Sequence, residues 1–283
     1  MNNAILLISC PDQKGITASV TSFIFQNDGN ILHADQHIDE QSGTFFMRVE
    51  WSLDGFRLTR ELIKPSFEPL ARRFKMNWEL SFTDEPLRVA IFVSRSLHCL
   101  FDLLYRYRYG QLSCRIPLIV SNHPDGRNLA ESLGIEYVEM AVLKENKIEQ
   151  ERRQGEILRA RGIDLVILAR YHQILTPSFV RAFPHGIINI HHSFLPAFVG
   201  KNPYYQACER GVKIIGATSH FVTEALDEGP IIEQDTVEVS HRDSLEDLKR
   251  KGEDLEKIVL NRALRLALEK KILCYNNKTV IFD

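Results

Sequence analysis

The 283-residue chain has no apolar run that approaches the roughly 20 residues a membrane-crossing helix needs. That excludes a helical membrane protein. Charge of one sign is also missing. Lys and Arg total 35 against 37 Asp and Glu, a net of −2, so there is no basic surplus to hold nucleic acid by bulk electrostatics. Cysteine is scarce. Cys10, Cys99, Cys114, Cys208 and Cys274 are scattered, odd in number and never spaced C-x-x-C, a pattern of reduced thiols in a cytoplasmic protein rather than a disulfide frame or a zinc site. The opening Met1-Asn2-Asn3-Ala4 lacks the basic flank of a secretion signal, and Ser9 and Pro11 break the apolar stretch after it. What is present is ordinary for a folded protein: 44% hydrophobic and 25% charged residues, at a length that suits about two domains.

The charge divides the chain. Residues 1–85 carry 8 basic and 12 acidic side chains, and the remainder 27 and 25. The break falls at Ser81-Phe82-Thr83-Asp84-Glu85-Pro86, polar residues ahead of a proline that cannot donate to a ladder. This gives an expected division into 1–84 and 85–283. The first segment reads as a small α/β sandwich. Ile5 to Ile8 is a buried strand, and Ile16 to Gln26 has helical spacing. The turn Asp28-Gly29-Asn30 closes that helix with a residue tolerant of positive φ. Strands Ile31 to Asp39 and Thr44 to Trp51 flank the turn at Gly43. A second helical stretch, Glu61 to Phe74, contains Pro65, which should start a turn of helix or kink it. Trp78 to Phe82 alternates as a last strand. The order β-α-β-β-α-β is that of a ferredoxin-like module.

The opening strand, the loop Pro11-Asp12-Gln13-Lys14-Gly15-Ile16 and the strand start Asn30-Ile31 resemble the ACT family. The resemblance implies a regulatory or oligomerisation module, hence a homo-oligomer. It also implies a small effector held near Gly15, Asn30 and Ile31; glycine and methionine are the amino acids expected, on metabolic grounds rather than from the resemblance. A pairing module without a ligand is the other reading, because a fold hosts many functions. His33, Asp35, His37 and Asp39 share one strand face, but a straight strand converges poorly on a metal, and no metal site is expected.

The second segment alternates strands and helices: Leu87 to Val93, a helix from His98, Ile116 to Ser121, Ile135 to Val138, the charged helix Lys144 to Arg161, Ile163 to Leu168, and Gly186 to Ile190. This predicts a Rossmann-like, mostly parallel sheet, with chemistry beyond the carboxyl ends of its strands. Those ends are Ser94-Arg95-Ser96, Asn122-His123, Ala169 to Leu175 and Asn189 to Gly200. Ser244 to Lys271 has an apolar stripe most simply read as a packing face. The last residues read as a hairpin around Asn276-Asn277.

The richest stretch runs Asn189-Ile190-His191-His192-Ser193-Phe194-Leu195-Pro196. Asn189 and His191 are two apart on an extended segment, so both point the same way, and an amide beside an imidazole suits an oxyanion. Leu226-Asp227-Glu228-Gly229-Pro230 places a carboxylate in a tight turn, where it can receive a proton or align the imidazole. For His192 the residues suggest a structural hydrogen bond and no more. His98 reads as capping or lining its helix, and His123 as bordering the site or fixing a turn.

Asn-x-His-x-Ser-x-Leu-Pro, followed 36 positions after the histidine by Asp-x-Gly-Pro-Ile-Ile, resembles the folate-dependent formyltransferase family. The resemblance covers most of residues 86–283. It implies catalytic roles for Asn189, His191 and Asp227. It further implies a pterin pocket at Arg170, Tyr171, His172, Gln173, Ile174 and Leu175, lined partly by backbone groups, with Leu226 beside it. Phosphate-binding members carry a glycine-rich loop after the first strand. The matching stretch Phe92 to Leu100 has no glycine, so a phosphorylated acceptor is not expected. An ACT module joined to such a domain resembles the formyltetrahydrofolate deformylases, for which the substrate is 10-formyltetrahydrofolate, the acceptor is water, the products are formate and tetrahydrofolate, and no cofactor is needed. The role implied is to balance one-carbon pools and supply formate for purine synthesis. The rival readings are formyl transfer to an amine, such as glycinamide ribonucleotide or a tRNA-linked amine, and an amino-acid sensor that only binds folate.

Overall fold

The computed structural model describes residues 2–197 and 203–282. Phe198, Val199 and Gly200, at the end of the histidine motif, lie outside the described residues. Two compact units emerge. One comprises the chain through Pro86 with Glu269–Tyr275 and the stretch from Val280; the other comprises Leu87–Leu268 with Asn276–Thr279. The change of unit at Pro86 lies two residues beyond the expected boundary. However, the assignment of everything after residue 84 to one domain does not describe the C-terminus, most of which groups with the first unit.

In the first unit, β1 (Asn3–Pro11), α1 (Ile16–Gln26), β2 (Asn30–Asp39), β3 (Thr44–Ser52), α2 (Arg60–Phe74) and β4 (Asn77–Phe82) follow the expected order. The antiparallel sheet runs β2-β3-β1-β4. Ile16, Val20 and Ile24 of α1 and Ile63, Phe67, Ala71 and Phe74 of α2 recur at helical spacing and bury against Leu6, Ile8, Met47, Val49 and Trp51. Both Pro65 and Pro69 lie inside α2, so the proline expected to start or kink the helix is carried within it. The apolar stripe on either side holds the helix across residues that propensity alone would exclude.

β1 is buried on both faces because Leu7 and Phe46 pack against Leu273, Tyr275, Val280 and Phe282. Arg48, 3% exposed, donates to the carbonyls of Glu269 and Lys270. This packing is the physical reason the C-terminal residues join the first unit. At the end of α1, Asp28 rather than Gly29 takes the positive φ, 58°. Gly29 is required for a different reason: a Cβ there would lie 2.5 Å from Ile24 Cγ2.

The second unit is built on a seven-stranded sheet. Its strands are β5 (Leu87–Val93), β6 (Cys114–Ser121), β7 (Glu136–Glu139), β8 (Leu165–Ala169), β9 (Ile187–His191), β10 (Ile214–Phe221) and β11 (Ile231–Glu238). The order is β11-β10-β9-β8-β5-β6-β7, in which β7, β6, β5, β8 and β9 are parallel and β10 and β11 extend the edge antiparallel. The helices are α3 (His98–Arg108), α4 (Arg127–Glu131), α5 (Lys147–Ala160), α6 (Pro177–Arg181), α7 (Pro203–Arg210) and α8 (Leu245–Leu268). The chain leaves β5 toward β6 and later returns to its other side with β8. The crevice beyond Val93 and Ala169 is therefore a topological switch point, where open α/β sheets bind ligands. β12 (Ile272–Tyr275) and β13 (Lys278–Ile281) form the expected hairpin, with Asn276 at φ 51° in its turn.

Candidate active site

The register of β9 and β10 assembles the site. Asn189 opposes His220, and His191 opposes Thr218. Opposed residues project to one face of a sheet, so Asn189, His191 and His220 are neighbours. His220 Nδ1 lies 2.9 Å from the carbonyl of Phe221. A carbonyl only accepts, so this nitrogen carries the proton. Burial lowers the pKa of His220, which keeps Nε2 as a lone-pair acceptor for Asn189 Nδ2, 3.3 Å away. One amide proton of Asn189 is thus tied down and the other is left for a ligand.

Asp227 sits in the turn between β10 and β11 at φ 57°, a conformation aspartate tolerates better than most residues. Gly229 makes the turn possible: a Cβ there would meet the Phe221 carbonyl at 1.8 Å. The Phe221 N–H donates to the Pro230 carbonyl at 2.9 Å, closing the turn. The turn aims Asp227 Oδ2 at His191 Nδ1, 3.4 Å away, while Oδ1 is 3.8 Å from His220 Nε2. The hydrogen bond from His191 holds the Asp227 carboxyl below the ordinary carboxylate range, against a smaller opposing effect of burial. A carboxylate only accepts, so His191 carries its proton on Nδ1. His191 Nε2 is buried with no hydrogen-bond partner. An orphaned buried nitrogen is costly and calls for an explanation.

The loop after β8 is braced at the switch point. Ser94 Oγ donates to Asn122 Oδ1 at 2.7 Å and accepts from the His172 N–H at 3.2 Å, tying together the ends of three parallel strands. Of the six loop residues expected in a pterin pocket, two have side chains committed elsewhere. Tyr171 is buried edge-on against Phe92, and its hydroxyl accepts from Gln154. Arg170, at φ 62°, turns its guanidinium to His192 Nδ1 at 2.7 Å and to Glu256 Oε2 at 3.4 Å. His172 is exposed, Gln173 and Leu175 are half-buried, and Ile174 and Leu226 are apolar side chains more than half exposed.

Glu256, on α8, is fully buried and accepts from His98 Nε2 at 2.8 Å and Tyr204 Oη at 2.7 Å. Burial pushes its carboxyl up, but the His98 bond, Arg170 and Tyr204 outweigh that and hold it below its ordinary value. Cys99 completes a close group with His98 and Glu256. Burial keeps its sulfur a thiol, and the Glu256 carboxylate of the group is already paired with the Arg170 guanidinium at 3.4 Å. In the sequence, Glu256 is hidden within the packing stripe of α8, and nothing there marks it. His220 lies in a β-rich stretch, and nothing in its local spacing marks it.

On the first unit, Gly15 takes φ 91° at the start of α1, and Asn30 and Ile31 begin β2 beyond its end. The 11 residues of α1 separate these positions by roughly 16 Å. One copy of the module therefore does not bring them onto a single small ligand. Of the alternating set on β2, His33 faces Arg48, His37 stacks on Phe46, and Asp39 caps the turn at Gln41 and Ser42.

The formyl transferase family model matches residues 87–264, and the ACT domain model matches residues 4–64. Together with the sheet order, they define a formyltransferase-fold protein that carries an ACT module. The formyltetrahydrofolate deformylase of Synechocystis sp. is 56% identical over 279 residues, 99% of this chain and 98% of the relative. That of Bacillus subtilis is 48% identical over 98% of this chain and 93% of its own. The crystal structure of a formyltetrahydrofolate deformylase from Pseudomonas syringae pv. tomato superposes with a TM-score of 0.98 at 46% identity, covering 100% of this chain and 95% of that one. The chain belongs to the formyltetrahydrofolate deformylase family. Among the described residues, no helix is long and apolar enough to cross a membrane.

Proposed function

We propose that Asn189, His191 and Asp227 catalyse the hydrolysis of 10-formyltetrahydrofolate to formate and tetrahydrofolate, balancing one-carbon pools and supplying formate for purine synthesis. The observation that carries the roles is the orphaned His191 Nε2 beside a half-committed Asn189 amide. With Nδ1–H facing a carboxylate, protonation of His191 turns Nε2 into a donor aimed at the formyl oxygen. The Asn189 amide supplies the second donor. Both act on an oxygen that becomes negative as the carbonyl is attacked. Asp227 sustains the imidazolium through Oδ2. Its Oδ1 is beyond hydrogen-bonding distance of His220 and accepts a proton from the attacking water. The new carbon–oxygen bond forms as that proton leaves. The carbon–nitrogen bond then breaks, the nitrogen takes up a proton, and the carbon departs as formate. One hydrogen of the water ends on nitrogen, and the other is released as a proton.

The folate head is assigned to the 170–175 loop and Leu226. Arg170 and Tyr171 contribute backbone groups rather than side chains, and Ile174 and Leu226 offer apolar contact to the ring. Hydrolysis by this trio requires no cofactor beyond the folate substrate and water. The ACT module is assigned an amino-acid effector, glycine or methionine. The separation of Gly15 from Asn30 and Ile31 favours a site completed by a second copy, hence a homo-oligomer. The setting is cytoplasmic, the one suited to five unpaired cysteines. Incubation with 10-formyltetrahydrofolate and no amine should release formate, and failure to do so would remove the reading. Dialysis of the full chain against each amino acid tests the effector without touching the catalytic assignment.

A further inference from the structure

His192 follows the candidate catalytic histidine, and its ring stacks on that of His191 with centroids 5.1 Å apart and planes at 29°. Two imidazoles so close compete for one proton, because a charge on either disfavours a charge on the other. The reaction proposed above needs that charge on His191. Arg170 settles the competition. Its Nη1 lies 2.7 Å from His192 Nδ1, and a guanidinium can only donate. His192 Nδ1 must therefore be a lone pair, so the ring is the neutral Nε2–H tautomer. A proton on Nδ1 would face a guanidinium N–H at hydrogen-bonding distance.

The other groups around His192 fit this role. Tyr204 packs against its ring at 5.9 Å. Glu256 balances Arg170 at 3.4 Å, and its remaining bonds, from His98 and Tyr204, fix the carboxylate in place. Burial first, then Arg170 and His191, push the His192 pKa down to about 4, with Glu256 opposing and His172 adding slightly. We infer that Glu256, Arg170 and His192 form a tautomer lock that keeps His192 neutral and reserves the proton for His191. These three are positioning residues acting through His191, and the inference rests on the reading of His191 as the charged donor.

The lock is tested by nitrogen NMR of the substrate-free enzyme between pH 8 and 4.5, together with kcat over the same range. Arg170→Met alone strands a buried carboxylate, so the working variant is Arg170→Met with Glu256→Gln, which removes both charges together. In the native enzyme His192 should show the Nε2–H tautomer and not titrate above about pH 5. In the double variant His192 should titrate at a higher pH than in the native enzyme, still below its ordinary value of about 6.5 because the ring stays buried, and kcat should begin to fall at a correspondingly higher pH than in the native profile. A lost pterin contact would instead raise KM at every pH. Identical His192 titration in the two proteins would overturn the lock. A shifted titration with parallel kcat profiles would also overturn the inference, by separating the tautomer from catalysis. Near-normal turnover in His191→Asn would remove the underlying reading, whatever His192 does.

Discussion

Each member of the trio is set by a neighbour whose hydrogen-bonding capacity leaves little choice. His220 offers a lone pair because its other nitrogen faces a carbonyl, and that fixes Asn189. Asn189→Ala removes one oxyanion donor and should lower kcat by about 10²–10³, with folate affinity nearly unchanged by direct titration. Equal loss of affinity and kcat would place Asn189 in substrate binding instead. The pH dependence follows from Asp227. Its folded carboxyl titrates below the ordinary value because His191 hydrogen-bonds the charged form. That interaction is present above the unfolded pKa of about 3.9 and is lost as pH falls through the lower folded value. The acid limb of kcat should therefore lie below pH ~4 in the native enzyme. A limb near pH 6 would mean that a histidine, not Asp227, controls it. The proposed trio was picked out by residue types and spacing together with the resemblance to the formyltransferase family. His220 and Glu256 were not, because their roles depend on the β9–β10 register and on burial of a helix face, neither of which local spacing records.

At the level of elements, the Asp227 turn and the histidine motif are held by contacts that single substitutions can remove. Gly229→Ala would drive a Cβ into the Phe221 carbonyl. The variant should lose most turnover while far-ultraviolet circular dichroism stays native, because the turn that aims Asp227 must move. Thr218 is fully buried. Its hydroxyl accepts from the Leu195 N–H and Gln234 and donates to the Ser193 carbonyl. Thr218→Val takes that partner from the Leu195 N–H and the Ser193 carbonyl, while Gln234 Nε2 keeps its bond to the Leu195 carbonyl, and should cost about 1–3 kcal/mol for each group that finds no new partner, read as a lower urea midpoint. The parallel strands β5, β6, β8 and β9 were readable as apolar runs, and β7 only as a short strand. The short helices α4 and α6 were not, since five residues carry too little periodicity to distinguish a helix from a loop.

Across the whole molecule, the division of labour follows from burial. The second unit carries the trio on a doubly wound sheet, while the first is an ACT module whose β1 is covered on both faces. The charge asymmetry and the Pro86 break revealed two units. The recruitment of the C-terminal hairpin into the first could not be read, because Phe282 and Phe46 lie far apart in the chain and their contact leaves no local pattern. Phe282 is 1% exposed, and Phe282→Ala should cost about 3–5 kcal/mol. Denaturation followed through Trp51 and Trp78 should report that loss in the first unit, whereas an unchanged transition would show the hairpin to be dispensable. The central claim is that water is the acceptor at the trio. Purified enzyme mixed with 10-formyltetrahydrofolate in plain buffer should yield formate and tetrahydrofolate in equal amounts. An intact donor in that buffer, consumed only once an amine such as glycinamide ribonucleotide is added, would contradict it.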